Sequence, residues 1–380
     1  MDACESAGGM LCVWVFASLI ISSKLRVVTL RAVPVTDPFE WDNLVKTFAH
    51  HSALQGWGFG EARRVTDWTP HRLRLERAGV VFAAAQVLRR TQYGLGYLYC
   101  PRGPALHKLE DLNDVATVLK RWAKATDVSL KIEPPVPVAS SGDPNIMPER
   151  LGVWVQAETI QPAHTVLINL EQSEETALGA MHQMAKRNTK QSLKEGVSAE
   201  PDDDFEAFWR LFEETNTRSK LLQRQKTYYQ AMFLECGKYG GEARIINARW
   251  NGRALATCFV IGLGKELCYL YGGSVRAERT EGQRDPKAPN GAYWGMIRYG
   301  IQKGYKVLDL YGIPKRIDES VSEKISNGVY EFKMRLGGQM AYFPAYEIAL
   351  NPLSGLVNSA LRARRKALNK KARGTEDDVL

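Results

Sequence analysis

The sequence lacks the signatures of several large enzyme classes. It has no P-loop, no dinucleotide-binding glycine fingerprint, no nucleophile-elbow serine motif and no paired-histidine zinc protease motif. Its six cysteines are scattered, without the close pairs or the histidine spacing that hold zinc. Nucleotide hydrolysis, hydride transfer, serine hydrolysis and zinc proteolysis therefore have no support, and we expect neither a metal nor a cofactor. The cysteines are typical of reduced thiols in a cytosolic protein.

The first residues lack the basic start of a secretory signal. The apolar run 10–21 resembles the core of a signal peptide, but Asp2 and Glu5 stand where such peptides carry Lys or Arg. The run is also too short to span a bilayer. We interpret residues 1–24 as a lead-in that is non-native or disordered, and a membrane contact is the alternative.

Length and charge set the broad class of the protein. A chain of 380 residues suits two domains of about 150–200 residues each. A hydrophobic fraction of 44% with 24% charged residues is typical of a globular protein in water. The formal net charge of +9 favours a polyanionic partner, which could be nucleic acid, a phosphorylated substrate or an anionic membrane surface.

One structural plan occurs twice in the chain. Residues 79–88 and 97–99 parallel residues 252–261 and 269–271, each as a hairpin of β-branched and aromatic residues. In each copy a predicted amphipathic helix precedes the hairpin, and a helix and a strand follow it. The pattern predicts an α/β (α+β) fold with two duplicated units and mixed sheets.

The domain boundaries follow from this repeat. We place the first unit at residues 25–150 and the second at 151–345, joined near the proline-rich stretch 134–148. Residues 346–380 are predicted to form a strand and a basic helix that could return to the first unit. The cations of this tail could contact RNA or lipid head groups, or only keep the protein in solution. They are Arg362, Arg364, Arg365, Lys366, Lys370, Lys371 and Arg373.

A long helix is predicted from Glu174 to Glu195, ended by Gly196. It carries Lys186, Lys190 and Lys194 at successive intervals of four residues, with Arg187 beside them. Such a row is either a solvated polar face or a stripe that follows the phosphates of a nucleic acid.

Arg224 and Tyr228 lie four residues apart in a segment that is predicted to be helical, so both side chains project from one face. A guanidinium with a phenol one turn away suits a diphosphate with a sugar or a base beside it. A chance pairing is the alternative.

The run from Gln55 through Gly58 to Gly60 matches the pattern with which acetyltransferases hold the pyrophosphate of coenzyme A. The context differs, because that loop should follow a central strand, whereas here a helix precedes it. We therefore give this motif little weight.

The segment 328–338 sets Lys333 beside Phe332 and closes with two glycines. A Phe-Lys pair before a glycine pair is typical of a strand end with a solvated lysine. The alternative is a lysine that faces a reaction centre.

Several segments, in their order along residues 25–350, resemble the Fem family of non-ribosomal peptidyltransferases, which includes FemAB and FemX. These segments are Ser52–Arg63, Tyr99–Pro104, Arg187–Gly196, Arg224–Tyr228, Gly241–Ile245, Tyr269–Gly273, Asp309–Gly312, Phe332-Lys333 and Gly337-Gly338.

The resemblance implies an aminoacyltransferase with two tandem acetyltransferase-like (GNAT) domains and a long cleft. The family transfers amino acids from aminoacyl-tRNA to a UDP-linked or lipid-linked muramyl peptide precursor of peptidoglycan. The implied protein is a cytoplasmic monomer, with the inner face of the cytoplasmic membrane as a further location. Residues 215–239 leave no room for the coiled-coil tRNA arm of some members, so the chain resembles the shorter type that acts on soluble precursors.

The resemblance also implies roles for individual residues. Precursor binding falls on Arg63, Tyr99, Arg102, Arg224, Tyr228, Tyr269 and Tyr271, and tRNA contact on Lys186, Arg187, Lys190 and Arg335. Phe332 and Lys333 fall near the tRNA CCA end, where the Lys333 ammonium would stabilise an oxyanion. Arg63 replaces a family lysine. His107 stands where several members carry Asp, so we assign no carboxylate base.

Two other functions stay open from the sequence. One is a coenzyme A-dependent N-acyltransferase on the same fold. The other is a non-enzymatic RNA-binding or envelope-assembly scaffold.

Overall fold

The computed structural model describes residues 29–139, 149–219, 223–275, 284–313 and 323–352, with a few positions between 354 and 367. The predicted lead-in 1–24 and the seven tail cations lie outside the described residues.

The strands and helices of the described residues are numbered in chain order. The strands are β1 Leu30–Pro34, β2 Thr69–Arg77, β3 Val80–Gln92, β4 Leu95–Cys100, β5 Ala105–Leu106, β6 Asp127–Ile132, β7 Val138–Ala139, β8 Arg150–Leu151, β9 Trp154–Ala157, β10 His164–Asn169, β11 Ser198–Pro201, β12 Glu242–Trp250, β13 Arg253–Leu263, β14 Glu266–Ser274, β15 Val307–Asp309, β16 Gln339–Tyr342 and β17 Ala345–Ala349. The helices are α1 Pro38–Thr47, α2 Trp57–Ala62, α3 Leu112–Trp122, α4 Glu174–Ala180, α5 Gln183–Lys194, α6 Phe205–Ser219, α7 Lys226–Cys236, α8 Ala288–Gln302 and α9 Glu323–Met334.

Two mixed sheets organise the chain. The first has the order β1-β2-β3-β4-β6-β17-β9-β8 with β5 beside β3, and the second has the order β11-β12-β13-β14-β15-β10-β16-β7. In each sheet a meander of antiparallel strands leads to one parallel pair, β4 with β6 and β14 with β15. Helices α3 and α8 connect these parallel strands, as parallel pairing requires. The predicted fold class, two α/β units with mixed sheets and a repeated plan, is confirmed.

Segments near the predicted boundary cross between the sheets. Strand β7 pairs with β16 in the second sheet, whereas β9 pairs with β17 in the first, although the sequence places residues 151–157 in the second unit. Strand β17 lies between β6 and β9. Each sheet is therefore completed by a segment from the other half of the chain.

The two halves also share a hydrophobic core. One cluster of buried side chains contains Trp41, Leu54 and Phe59 from the first half with Phe208 and Phe259 from the second. Large aromatic side chains contribute most of the apolar area buried in such a contact. The halves are thus joined by packing as well as by strand exchange.

The predicted single helix over residues 174–195 is wrong, because the chain breaks between α4 and α5. Met181 has extended backbone angles, and His182 Nδ1 accepts a hydrogen bond from the Met184 amide. The His182 amide donates to the Arg335 carbonyl, so a contact distant in sequence replaces a helical one. Gly196 has φ of +78° and ends α5, as predicted.

The glycines of the run from Gln55 to Gly60 serve packing. A Cβ atom on Gly58 would lie 2.1 Å from the Glu235 carbonyl oxygen of α7, and one on Gly60 would lie 2.2 Å from Gln86 Oε1. Gln55 is fully buried, and its Nε2 donates to the Pro101 carbonyl at 2.6 Å. These contacts account for the glycines and the glutamine of the motif through packing.

Candidate functional site

A cluster of cations and phenols spans the two halves of the chain. Arg63, which follows α2, donates from Nη1 to the Tyr228 hydroxyl on α7 at 2.9 Å. The Tyr271 hydroxyl lies 3.3 Å from that of Tyr228. The Arg224 guanidinium lies 5.0 Å from the centre of the Tyr228 ring. Four residues that the sequence predicts for precursor binding thus lie together, which we call the seam cluster.

The seam cluster carries positive charge that no carboxylate of the described residues balances through an ion pair. Within the described parts of the chain, neither Arg63 nor Arg224 forms an ion pair, and Arg63 Nε has no hydrogen-bond partner. Arg63 is 7% exposed, whereas Arg224 is exposed. Arg224 precedes α7 and is not part of it, so the prediction of a helical pair is wrong, although the two side chains still meet. A buried cation beside an exposed one suits an anionic ligand that enters from solvent.

A bulge in β14 separates the two predicted tyrosines of this strand. The pairing of β14 with β13 shifts between Tyr269 and Tyr271, so these residues do not face one side as strict alternation would require. Tyr271 packs in the shared core with the seam cluster, whereas Tyr269 packs in the core of the second half. The structure therefore brings Tyr271, and not Tyr269, to Arg63 and Tyr228.

Tyr99 begins a chain of polar contacts at the place where the two halves of the chain meet, which we call the junction. Its hydroxyl donates to Glu133 Oε2 at 2.6 Å and accepts from Gln161 Nε2 at 2.9 Å. The amide oxygen of Gln161 accepts from the Tyr311 hydroxyl. Burial, together with the Glu133 carboxylate, raises the pKa of Tyr99 well above its usual value. The phenol therefore stays neutral and acts as a hydrogen-bond donor.

Arg102 lies inside the junction. Its side chain is 2% exposed, donates from Nη2 to the Pro162 carbonyl at 2.8 Å and stacks 3.8 Å from the centre of the Phe343 ring. Its Nε and Nη1 atoms have no hydrogen-bond partner among the described residues. A guanidinium so enclosed holds two segments together, and a ligand could reach it only after local opening.

Lys333 is buried at the end of a helix. It lies in the last turn of α9 and is 5% exposed, so the interpretation as a solvated strand end is wrong. Nζ donates to the carbonyls of Leu310 at 2.8 Å and Gly312 at 2.7 Å, and it lies 5.0 Å from the centre of the Tyr269 ring. Burial lowers the pKa of Lys333 to about 8, although the Asp309 charge opposes this effect. The lysine is therefore mostly charged at neutral pH.

Phe332 precedes this lysine in the chain and packs at one end of a row of three aromatic side chains. Its ring centre lies 5.0 Å from that of Tyr293, in an edge arrangement, and Tyr293 lies 5.1 Å from Tyr269. Tyr269, at the other end of the row, is the ring that faces the Lys333 ammonium.

The cations predicted for tRNA contact share one surface. Arg187 and Lys190 are exposed on α5, and Lys186 is half-buried there. Arg335 approaches this helix through a contact of 3.6 Å between its Nη1 and the Met184 sulfur, and its Nη2 pairs with Glu331 at 2.6 Å. We call Lys186, Arg187, Lys190 and Arg335 the α5 surface.

Of the buried carboxylates among the described residues, three lie where the two halves meet and were not selected from the sequence. Asp309 ends β15 and accepts from the Thr165 hydroxyl and the Tyr311 amide. Glu266 begins β14 and accepts from the Ala53 amide at 2.5 Å. Burial, with the Asp309 charge adding to it, raises the pKa of Glu266 to about 7. The third is Glu133, described above. Of the three, only Asp309 lies in a segment that resembles the Fem family.

An open cleft of about 650 Å³ lies elsewhere. Its lining includes Lys46, Glu242, Gly264 and Tyr305, and it lies near the starts of β14 and β15. Lys333 lies at the opposite end of β15, where it contacts the loop that follows this strand. The cleft contains none of the predicted site residues. In the described ranges no group of three or more His, Cys, Asp or Glu side chains could hold a metal ion. Of the helices described, none is long and apolar enough to cross a membrane.

Comparisons with known proteins agree with this architecture. The FemAB family model matches residues 151–254. The lipid II:glycine glycyltransferase of Staphylococcus aureus is 26% identical over 208 residues, which cover 51% of this chain and 49% of that protein. The chain thus spans about half the length of this curated relative.

Two solved structures share the fold. FemX has a TM-score of 0.72 at 18% identity, covering 85% of this chain and 98% of that one. L-PGS from Bacillus licheniformis has a TM-score of 0.50 at 12% identity, covering 86% and 96%. The family match, the sequence relative and the fold of FemX agree, and they confirm the resemblance of this chain to the Fem family.

Proposed function

We propose that this protein transfers an amino acid from aminoacyl-tRNA to the side-chain amine of the stem peptide of a peptidoglycan precursor. The observation that carries the proposal is the seam cluster, in which Arg63 and Arg224 flank Tyr228 without a carboxylate partner in the described structure. A diphosphate with its sugar would supply the missing negative charge and stack beside the phenols.

The printed name of the Staphylococcus aureus relative, a glycyltransferase acting on lipid II, supports the same acceptor class. In our proposal the acceptor is a UDP-linked or lipid-linked muramyl peptide. The protein acts as a monomer in the cytoplasm, or at the inner face of the cytoplasmic membrane.

The roles of the residues follow their positions. Arg63, Arg224, Tyr228 and Tyr271 hold the diphosphate and sugar. Tyr99 and Arg102 shape the junction beside them, and the α5 surface contacts the phosphates of the tRNA. The precursor therefore binds at the seam cluster, and the tRNA binds at the α5 surface.

Lys333, with Phe332 and Tyr269, marks the reaction centre. Two of the three N–H groups of Lys333 bind loop carbonyls, which leaves one for the developing oxyanion. One such donor contributes about 3 kcal/mol in other acyl transfers. Phe332 packs against the terminal adenosine or the aminoacyl group.

The reaction itself needs little activation, because the aminoacyl ester is already reactive. The amine nitrogen attacks the ester carbonyl, the new amide bond forms, and the C–O bond to the tRNA ribose breaks. The proton lost by the amine ends on the ribose hydroxyl that leaves. The protein mainly has to hold the two substrates in contact and to stabilise the oxyanion.

A transfer assay tests the proposal. Purified protein is mixed with a UDP-linked muramyl pentapeptide and with tRNAs charged with labelled amino acids, and a parallel reaction contains labelled acetyl-coenzyme A. We expect label on the precursor only from aminoacyl-tRNA. Label from acetyl-coenzyme A would establish the acyltransferase alternative, and transfer from neither donor would favour a scaffold.

A further inference from the structure

Tyr311 connects the two parts of the proposed site. It lies in the segment Asp309–Gly312 that resembles the Fem family, although no role was predicted for this residue. It lies between Leu310 and Gly312, whose carbonyls accept hydrogen bonds from Lys333 Nζ. Its own carbonyl oxygen lies 3.5 Å from the same nitrogen and 3.0 Å from the oxygen of the Thr165 hydroxyl, which donates to Asp309. Lys333 thus donates to the first and third of three successive carbonyls in one turn and lies close to the second.

The backbone of Tyr311 is held in an unfavourable conformation. Its φ is +54°, in the left-handed region that is unfavourable for a residue with a Cβ. The Tyr311 amide donates to Asp309 Oδ1 at 2.6 Å. Asp309 on one side and Lys333 on the other therefore stabilise a turn that the isolated chain would not keep.

This turn sends the Tyr311 side chain to the junction. Its hydroxyl donates to the Gln161 side chain, which in turn donates to the Tyr99 hydroxyl, and Tyr99 donates to Glu133. The Tyr311 ring also packs against the shared core that contains Tyr228 of the seam cluster. One residue therefore contacts the Lys333 ammonium through its backbone and the precursor-binding side through its ring.

We propose that Tyr311 is a positioning residue that fixes the acceptor relative to the reaction centre, and that Lys333 acts partly by holding the Tyr311 turn. This inference rests on the proposed transfer function. The precursor would be anchored at the seam cluster, and its amine must reach a carbonyl near Lys333. A shift of the Tyr311 ring would change that separation, to which transfer rates are sensitive.

The first test is a double-mutant cycle in the transfer assay with the UDP-linked pentapeptide. Tyr311→Phe removes only the hydroxyl and should lower kcat at least about tenfold, with both KM values changed less than about threefold. In a Lys333→Met background the same change should have little further effect, because the turn is already released. If the fold-losses in kcat of the two single variants multiply in the double variant, the two residues act independently and the inference is wrong.

Two control variants separate positioning from general damage. Gln161→Ala breaks the side-chain contact but leaves the turn, so it should reproduce the kcat loss of Tyr311→Phe. Tyr305→Phe removes another partly buried phenolic hydroxyl, which donates to Glu242 near the distant cleft, and should leave kcat unchanged. If Tyr305→Phe lowers kcat as much as Tyr311→Phe, the positioning role is wrong.

A second measurement does not depend on catalysis. Hydrogen–deuterium exchange of the peptide covering residues 306–313 should speed up in Lys333→Met and stay unchanged in Gln161→Ala. Unchanged exchange in Lys333→Met would overturn the inference even if the enzyme is active. Faster exchange in a protein that transfers no amino acid would instead show that only the proposed function fails.

Discussion

Arg63 donates a hydrogen bond of 2.9 Å to Tyr228, and the two residues come from opposite halves of the chain. The bond fixes the orientation of a buried guanidinium whose Nε atom has no partner in the described structure. A donor of this kind is available to a ligand once the ligand enters the junction.

Replacing Arg63 should separate the effects of charge and of shape. Arg63→Met removes the cation and should raise KM for the UDP-linked precursor about 10–100-fold, the size of a lost charge-assisted hydrogen bond. Arg63→Lys is the matched control, because it keeps the charge and should shift KM less than about tenfold. Steady-state kinetics with each substrate varied in turn give both values. A larger change in KM for the tRNA than for the precursor would contradict the assignment.

Arg224 should act on the same substrate from the solvent side. Arg224→Ala should raise KM for the precursor about tenfold and leave KM for the tRNA unchanged, since its guanidinium lies over Tyr228. Lys226→Ala is the control: Lys226 begins α7, close in the chain, but pairs with Glu206 at 2.7 Å. An equal effect on both substrates would argue against diphosphate binding.

The α5 surface should determine how tRNA binding depends on salt. Replacing Arg187 and Lys190 by Gln should weaken tRNA binding and reduce the slope of log K against log salt by about two, one for each phosphate contact. Lys120→Gln on α3 removes an exposed cation from the first half and should leave the slope unchanged. Filter binding or fluorescence anisotropy at several salt concentrations provides the slope. The same slope in the double variant and the wild type would exclude this surface.

The sequence predicted the repeat, because hairpin patterns are local. Of the seam cluster, residue spacing suggested only Arg224 with Tyr228, whereas Arg63 and Tyr271 were implied by the resemblance to the Fem family. The sequence did not predict the roles of Tyr311, Gln161 and Glu133, since these depend on contacts between residues far apart in the chain. The different environments of Tyr269 and Tyr271 result from a bulge, which strict alternation does not reveal. The end of α4 has a similar cause, a hydrogen bond from His182 to the distant Arg335 carbonyl.

Glu266 should make stability depend on pH. Burial raises its pKa in the folded protein to about 7 from an ordinary value of 4.5, so the folded state binds the proton more tightly than the unfolded state. The free energy of unfolding relative to Glu266→Gln should therefore be highest below pH 4.5 and fall as pH rises through 7, by at most about 3 kcal/mol. Urea unfolding of both proteins from pH 4.5 to 8 measures the difference. A difference that does not change with pH would show that Glu266 titrates normally.

Gly58 allows α2 to pack closely against α7, so replacing it should destabilise the protein. Gly58→Ala would place a methyl 2.1 Å from the Glu235 carbonyl oxygen and should lower the free energy of unfolding by about 1–3 kcal/mol. Gly179→Ala in α4 is the control, because nothing lies within 4 Å of the added methyl and alanine favours a helix by about 1 kcal/mol. Urea unfolding of the three proteins gives the comparison, and equal stability of Gly58→Ala and the wild type would contradict the close crossing.

The exchange of strands between the sheets constrains synthesis on the ribosome. The first sheet needs β17, so β6 and β9 have no common neighbour until residue 349 has left the ribosomal exit tunnel. The usual order, in which an N-terminal domain folds before the next is made, is not open to this chain. Its two halves must reach their native state together, and neither half expressed alone would contain a complete sheet.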